Sequence, residues 1–212
     1  MSLTVTAIPP RLGQPEHLLV LLHGWGADAS DLSPLASVLD LPDYQCLFPD
    51  APFPHPHFSF GRAWYNLESQ DYEGLHQCRE QLRDWLLGLE GEMGIPLERT
   101  ILGGFSQGAA MSLDVGLSLP LAGLCSLSGY LHFHPEPLDH PIPPLLMVHG
   151  RQDQVVPIAV AHQARHELQA IGAEIEYHEF AMGHEIPQIV LQVLKSFIEG
   201  HTHPLRESVE AP

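Results

Sequence analysis

Short, mostly apolar runs alternate along this chain with longer stretches in which apolar residues recur every three or four positions. "HLLVLLHG", "YQCLFPD", "TILGGF", "LAGLCSLSG" and "PLLMVHG" are short and bounded by turn-forming residues, which predicts buried strands. "AEIEYHEF" alternates apolar and polar residues and predicts a strand with one covered face. Helical spacing links Leu75, Cys78, Leu82, Trp85, Leu86 and Leu89, and again Ile189, Val190, Val193, Leu194, Phe197 and Ile198. Gln107 to Leu119 predicts a further helix. Another begins at Pro157, with Val160, Ala164, Leu168 and Ile171 on its apolar face and Gly172 as its stop. In "SPLASVLD", Ser33 is placed to cap a helix and Pro34 to occupy its first position. The Pro-, His- and aromatic-rich segment from Ala51 to Tyr65, and "YLHFHPEPLDHPIPP", predict loops.

Strands alternating with helices predict an α/β fold, with a mainly parallel central sheet covered by helices on both faces. Without an internal repeat or a long linker, residues 1–200 are expected to form a single domain. The polar segment 201–212, "HTHPLRESVEAP", is expected to be a loose tail.

Charge narrows the partners. The 212-residue chain carries 9 basic and 26 acidic residues, for a net charge of −17. Nucleic acids and anionic membranes both require a basic face, so neither is an expected partner. The longest early apolar run, "LLVLL", is far short of the roughly 20 residues that span a bilayer, so stable membrane insertion is not expected. "MSLTVTAIPPRLG" lacks the charged start and long apolar core of a signal peptide. Cys46, Cys78 and Cys125 are odd in number and widely spaced, and two lie in strand-like runs. A reducing cytoplasm is the simplest compartment.

Residues 100–116, "TILGGFSQGAAMSLDVG", carry the candidate chemistry. Gly103 and Gly108 have the spacing of a phosphate-binding loop, but Ala109 stands where that loop needs Lys, and no Rossmann glycine pattern is present. Gly104-Phe105-Ser106-Gln107-Gly108 instead reads as G-x-S-x-G, between a predicted strand and a predicted helix. In that motif the serine occupies a strained turn, so the residues two positions either side must be small.

A nucleophilic serine needs a base, and the base needs an orienting acid. On such a sheet these follow in the order Ser, acid, His. Asp153 follows the strand "PLLMVHG" and His184 follows "AEIEYHEF". Both therefore leave carboxyl ends of strands, at the edge where ligands bind. The rivals are less well placed. Asp114 lies about 12 Å along the elbow helix from Ser106. Asp28 and Asp31 read as caps or solvated groups, Asp139 sits in a Pro-rich loop, and His178 falls inside a strand. His149 ends a strand with no later acid to order it. The glycines of "HGWG" free the loop after the first long strand to turn, so the N–H groups of Trp25 and Gln107 are the candidate oxyanion donors.

With "LLHGWGADASDL", "GGFSQGAAMSLD", "LSGYL", "VHGRQDQVVP" and a late "GH" in this order, the chain resembles the carboxylesterase and acyl-protein thioesterase family of α/β-hydrolases, from about Leu18 to Ile198. The resemblance implies an α/β-hydrolase fold and a hydrolase that uses no cofactor; the short segment between "LAGLCSLSG" and "PLLMVHG" leaves no room for a large cap domain, and the histidines of "HFHPEPLDH" match no zinc-ligand spacing, so no metal is expected. It implies Ser106 as nucleophile, Asp153 as orienting acid, His184 as base, and Trp25 and Gln107 as oxyanion donors. It also implies an acyl groove at Trp25, Tyr130 and Val155, and loop aromatics such as Phe53 or Trp64 are expected to add to it. Trp25 replaces the Leu common at that position, and the histidine-rich loop 51–65 is unlike the family pattern. The implied partner is a small-molecule or lipid-like acyl ester; a homodimer is compatible with this reading. A peptidase on this fold would carry a cap or propeller, for which the chain has no room. A non-catalytic binder would have lost a member of the trio, and all three are present.

Overall fold

The computed structural model describes residues 3–69 and 71–202. Its core is a seven-stranded sheet in the order β1-β3-β2-β6-β7-β8-β9. These strands are β1 (Val5–Ile8), β2 (His17–Leu22), β3 (Tyr44–Pro49), β6 (Thr100–Phe105), β7 (Gly123–Leu127), β8 (Leu145–Gly150) and β9 (Ile175–Phe180). All neighbours pair in parallel except β1, which runs antiparallel to β3. The mainly parallel sheet is as the sequence predicts; β1 is an addition to it.

Strand β2 shows why the sheet must be covered on both sides. Leu18, Val20 and Leu22 enter one cluster, with Leu82 and Leu86 of α3 (Leu75–Met93), Met111 of α4 (Gln107–Gly116) and Leu168 of α5 (Ile158–Ala170). Leu19 and Leu21 enter the other, with Leu32 of α1 (Ala29–Leu32), Leu39 of α2 (Leu35–Leu39) and Phe197 of α6 (Gln188–Thr202). A strand buried on both faces reads as a continuous apolar run, because neither face needs polar residues. Burial of these side chains at about 25 cal/mol per Å² supplies the main driving force for the fold.

The expectations for Ser33 and Pro34, and for a plain loop over 51–65, are corrected. Asp28 caps α1 by accepting the Ser30 N–H at 2.8 Å. Ser33 closes that helix, and Pro34 precedes α2 without any side-chain cap. The 51–65 segment contains a small antiparallel pair, β4 (Phe53–Pro54) and β5 (Arg62–Ala63). Helix α6 runs through His201 and Thr202, past the expected domain end at residue 200. Residues 203–212, the rest of the expected tail, lie outside the described residues. Between β7 and β8 no helix intervenes, so no cap covers the carboxyl edge there.

Candidate active site

The carboxyl ends of β6, β8 and β9 carry the three expected residues on one edge of the sheet. Ser106 joins β6 to α4 with φ 55° and ψ −117°, a backbone conformation that a side-chain-bearing residue adopts only under constraint. The constraint is visible on both sides. The Ser106 N–H donates to the Leu127 carbonyl of β7 at 2.9 Å, and its carbonyl accepts from Ala110 N–H in the first helical turn. A Cβ at Gly104 would overlap the Gly108 carbonyl, and one at Gly108 would overlap the carbonyls of Leu22 and His23. The two glycines of G-x-S-x-G are thus demanded by backbone packing.

Asp153 and His184 come together through two loops that approach closely. Arg151 N–H donates to the Phe180 carbonyl, and Gln152 N–H to that of Met182. A Cβ at Gly150 would overlap the carbonyls of Met182 and Gly183. His184 Nδ1 then lies 2.7 Å from Asp153 Oδ2. Asp153 Oδ1 accepts the N–H groups of Val155 and Val156 at 2.9 and 2.8 Å. Burial alone would raise this carboxyl; the bonds from His184, Val156 and Val155 outweigh it and hold Asp153 below the ordinary carboxylate value. The Asp153 carboxylate is fully enclosed, whereas His184 keeps some exposure and its ring lies 4.6 Å from that of Phe105. His149 also borders this acid, with Nε2 3.5 Å from Oδ2, but its shorter contact is 2.8 Å to the Val156 carbonyl. It supports the acid's loop from below.

The loop that carries Trp25 also approaches the serine. Gly24 is so near Ser106 that a Cβ there would lie 3.5 Å from the Ser106 Cβ. Gly26 has φ +80°, which lets the loop turn back beneath Trp25. Trp25 packs edge-on to His55, with ring centroids 4.6 Å apart. Below the loop, His23 is buried, with Nδ1 2.8 Å from the Gly24 carbonyl and Nε2 accepting from Ala51 N–H. Burial lowers its pKa, against the Gly24 carbonyl and the charges of Asp50, Asp28 and Asp31. Gln107 opens α4, and its side chain has a separate task. Its Oε1 accepts from Trp64 N–H, and its Nε2 donates to the Tyr65 carbonyl.

The groove residues divide. Trp25 and Phe53 share a cleft of about 350 Å³ with Pro54, Ala63, Asn66 and Glu73. Tyr130 and Val155 do not line that cleft. Val155 is 67% exposed on the acid's loop, and the Tyr130 hydroxyl meets that of Tyr65 at 2.5 Å. Trp64 is wholly buried and donates its indole N–H to the His23 carbonyl, so it is scaffold and not a groove wall. The acids set aside in the sequence have other partners: Asp114 meets His132 and Arg79, and Asp28 caps α1. The histidines of "HFHPEPLDH" disperse, His134 to Glu167 and His140 to the Pro141 carbonyl. Glu16, His17 and Asp43 do cluster, but at the amino-terminal edge of the sheet, opposite Ser106.

A family model described as Phospholipase/Carboxylesterase matches residues 4–202. The chain belongs to that family. As a member it is a hydrolase with an α/β-hydrolase fold. It is 30% identical over 209 residues to acyl-protein thioesterase 1 of Saccharomyces cerevisiae, covering 85% of this chain and 91% of the yeast protein. The crystal structure of esterase PE8 superposes with a TM-score of 0.86 at 32% identity, covering 95% of this chain and all of that one. The Bacillus cereus carboxylesterase shares the fold at a TM-score of 0.81 and 16% identity, over 94% of each chain. Among the described residues no helix is long and apolar enough to cross a membrane.

Proposed function

We propose that this family member hydrolyses carboxylic esters, and thioesters by the same chemistry, through an acyl-enzyme on Ser106. The observation that carries the reading is the Asp153–His184 bond on the same sheet edge as a serine held at positive φ. His184 Nδ1–H donates to Asp153, which leaves Nε2 free to accept the Ser106 proton. Ser106 Oγ attacks the carbonyl carbon, and the N–H groups of Trp25 and Gln107 receive the oxygen as it gains charge. His184 returns the proton to the leaving alcohol or thiol. Water then attacks the acyl-enzyme with the same base, releasing the acid and restoring Ser106.

The acyl chain occupies an open site near Trp25, Tyr130 and Val155, with short to medium chains preferred. Affinity rises by about 0.8 kcal/mol per buried methylene until the site ends. The name of the yeast relative supports a second reading within the same chemistry, removal of acyl groups from proteins; a lysophospholipid is a further ester of this class. The reaction needs no cofactor, because backbone N–H groups polarise the carbonyl. Burial raises the thiol pKa of Cys46 to about 11 and of Cys78 to about 12, so neither thiol competes with Ser106 as a nucleophile.

Ser106→Ala tests the assignment. Turnover of p-nitrophenyl butyrate should fall by several orders of magnitude with the fold retained. A fluorophosphonate probe should label the wild type alone. Labelling that persists in the variant would place the nucleophile elsewhere.

A further inference from the structure

A second buried polar chain begins on the elbow helix and is unused by the chemistry above. His132 is fully enclosed, and its Nδ1 lies 2.8 Å from Oδ2 of Asp114, at ion-pair distance without the alignment of a directed hydrogen bond. His132 Nε2 is 2.5 Å from the Tyr65 hydroxyl, which is 2.5 Å from that of Tyr130. The rings of Tyr65, Tyr72 and Tyr130 pack edge-on around the imidazole. The chain ends beside the elbow: residues 128–130 leave β7 just after Leu127, whose carbonyl holds the Ser106 N–H. A Cβ at Gly129 would press on Ala109.

The direction of the protons follows from the end groups. A carboxylate only accepts, so a bare Nδ1 lone pair facing Asp114 would be repelled; the ring proton belongs on Nδ1. Nε2 is then an acceptor and takes the Tyr65 proton. The Tyr65 oxygen in turn takes the Tyr130 proton. Both hydroxyl protons point inward along the chain, and Tyr130 is left with only lone pairs to offer a substrate. Tyrosine ionisation does not disturb this order, since burial raises the pKa of both hydroxyls.

We infer that His132 is a positioning residue, which through Tyr65 turns Tyr130 into a pure hydrogen-bond acceptor and selects acyl groups bearing a hydroxyl or amide N–H near the carbonyl. The inference rests on the reading that Tyr130 borders the acyl site.

The test compares p-nitrophenyl esters of 3-hydroxybutyrate and 3-methoxybutyrate, each normalised to the butyrate ester, at pH 8. Wild type should favour the hydroxy ester by about fivefold in kcat/KM, the worth of one neutral hydrogen bond. Tyr130→Phe should bring the ratio to about one. His132→Leu removes the acceptor, so Tyr65 turns its proton to Tyr130 and frees the Tyr130 O–H to donate. Hydrolysis of the methoxy ester should then rise severalfold relative to butyrate, a gain that loosened packing would not produce. Tyr65→Phe, nearly isosteric, should give the same gain and serves if the leucine variant fails to fold. A wild-type ratio near one, or an equal loss on both esters in the variants, would overturn the inference. Ester hydrolysis that survives Ser106→Ala would overturn the elbow reading beneath it.

Discussion

His184 Nδ1 sits 2.7 Å from Asp153 Oδ2, while the other carboxylate oxygen is held by two backbone N–H groups of its own loop. The acid's orientation is therefore set before any substrate arrives. Asp153→Asn keeps the shape but presents an amide where the histidine needs an acceptor. Turnover should fall by about 10⁴, with KM little changed, in steady-state assays on a p-nitrophenyl ester. Asp139→Asn, on an exposed loop, should have no such effect.

The glycine after the serine makes a sharper stability prediction. At Gly108 a Cβ would strike the Leu22 and His23 carbonyls, whereas at Gly88, exposed in α3, it would meet nothing within 4 Å. Gly108→Ala should cost about 3 kcal/mol in urea unfolding, as strand and helix are forced apart. Gly88→Ala should stabilise by about 1 kcal/mol through helix propensity. Equal effects at the two positions would refute the packing argument.

His23 should leave a mark on stability against pH. Its folded pKa is depressed, first by burial, so the unfolded chain takes up its proton at higher pH than the native protein does. Its contribution is full above the unfolded value of about 6.5 and is lost as pH falls below it. The urea midpoint should drop between pH 7.5 and 5.5 more steeply in wild type than in His23→Gln. Parallel curves would show that the ring does not carry this term.

Charge should discriminate between leaving groups. A net charge of −17 repels coenzyme A, which carries several negative charges, and does not repel a neutral ester. Hydrolysis of butyryl-coenzyme A should trail p-nitrophenyl butyrate most at low ionic strength. The gap should narrow as salt shortens the screening length to about 10 Å at 0.1 M. A thioester rate that falls with added salt would contradict this.

Much of the fold was legible because β2, β6, β7 and β8 are buried on both faces and read as unbroken apolar runs. β1 was not: three of its four residues are exposed, and only pairing with β3 makes it a strand. The β4–β5 pair depends on contacts distant in sequence, such as Gly26 N–H to the Arg62 carbonyl, that no local pattern encodes. The candidate trio could be read from order alone, since each member follows a recognisable strand. The groove could not. Trp64 looks like a loop aromatic in sequence and is buried because its indole finds the His23 carbonyl. Asp114 and His132 gave no signal either, for a helix and a distant loop share no period.

The amide of Gln107 has a consequence for redesign. By gripping Trp64 and Tyr65 from the first residue of α4, it bolts the 51–65 segment to the residue whose backbone N–H is the proposed oxyanion donor. That segment is not an interchangeable part. Grafting it from a relative to alter chain-length preference will retune the reaction rate along with the fit, unless the two backbone groups that Gln107 holds are carried over unchanged.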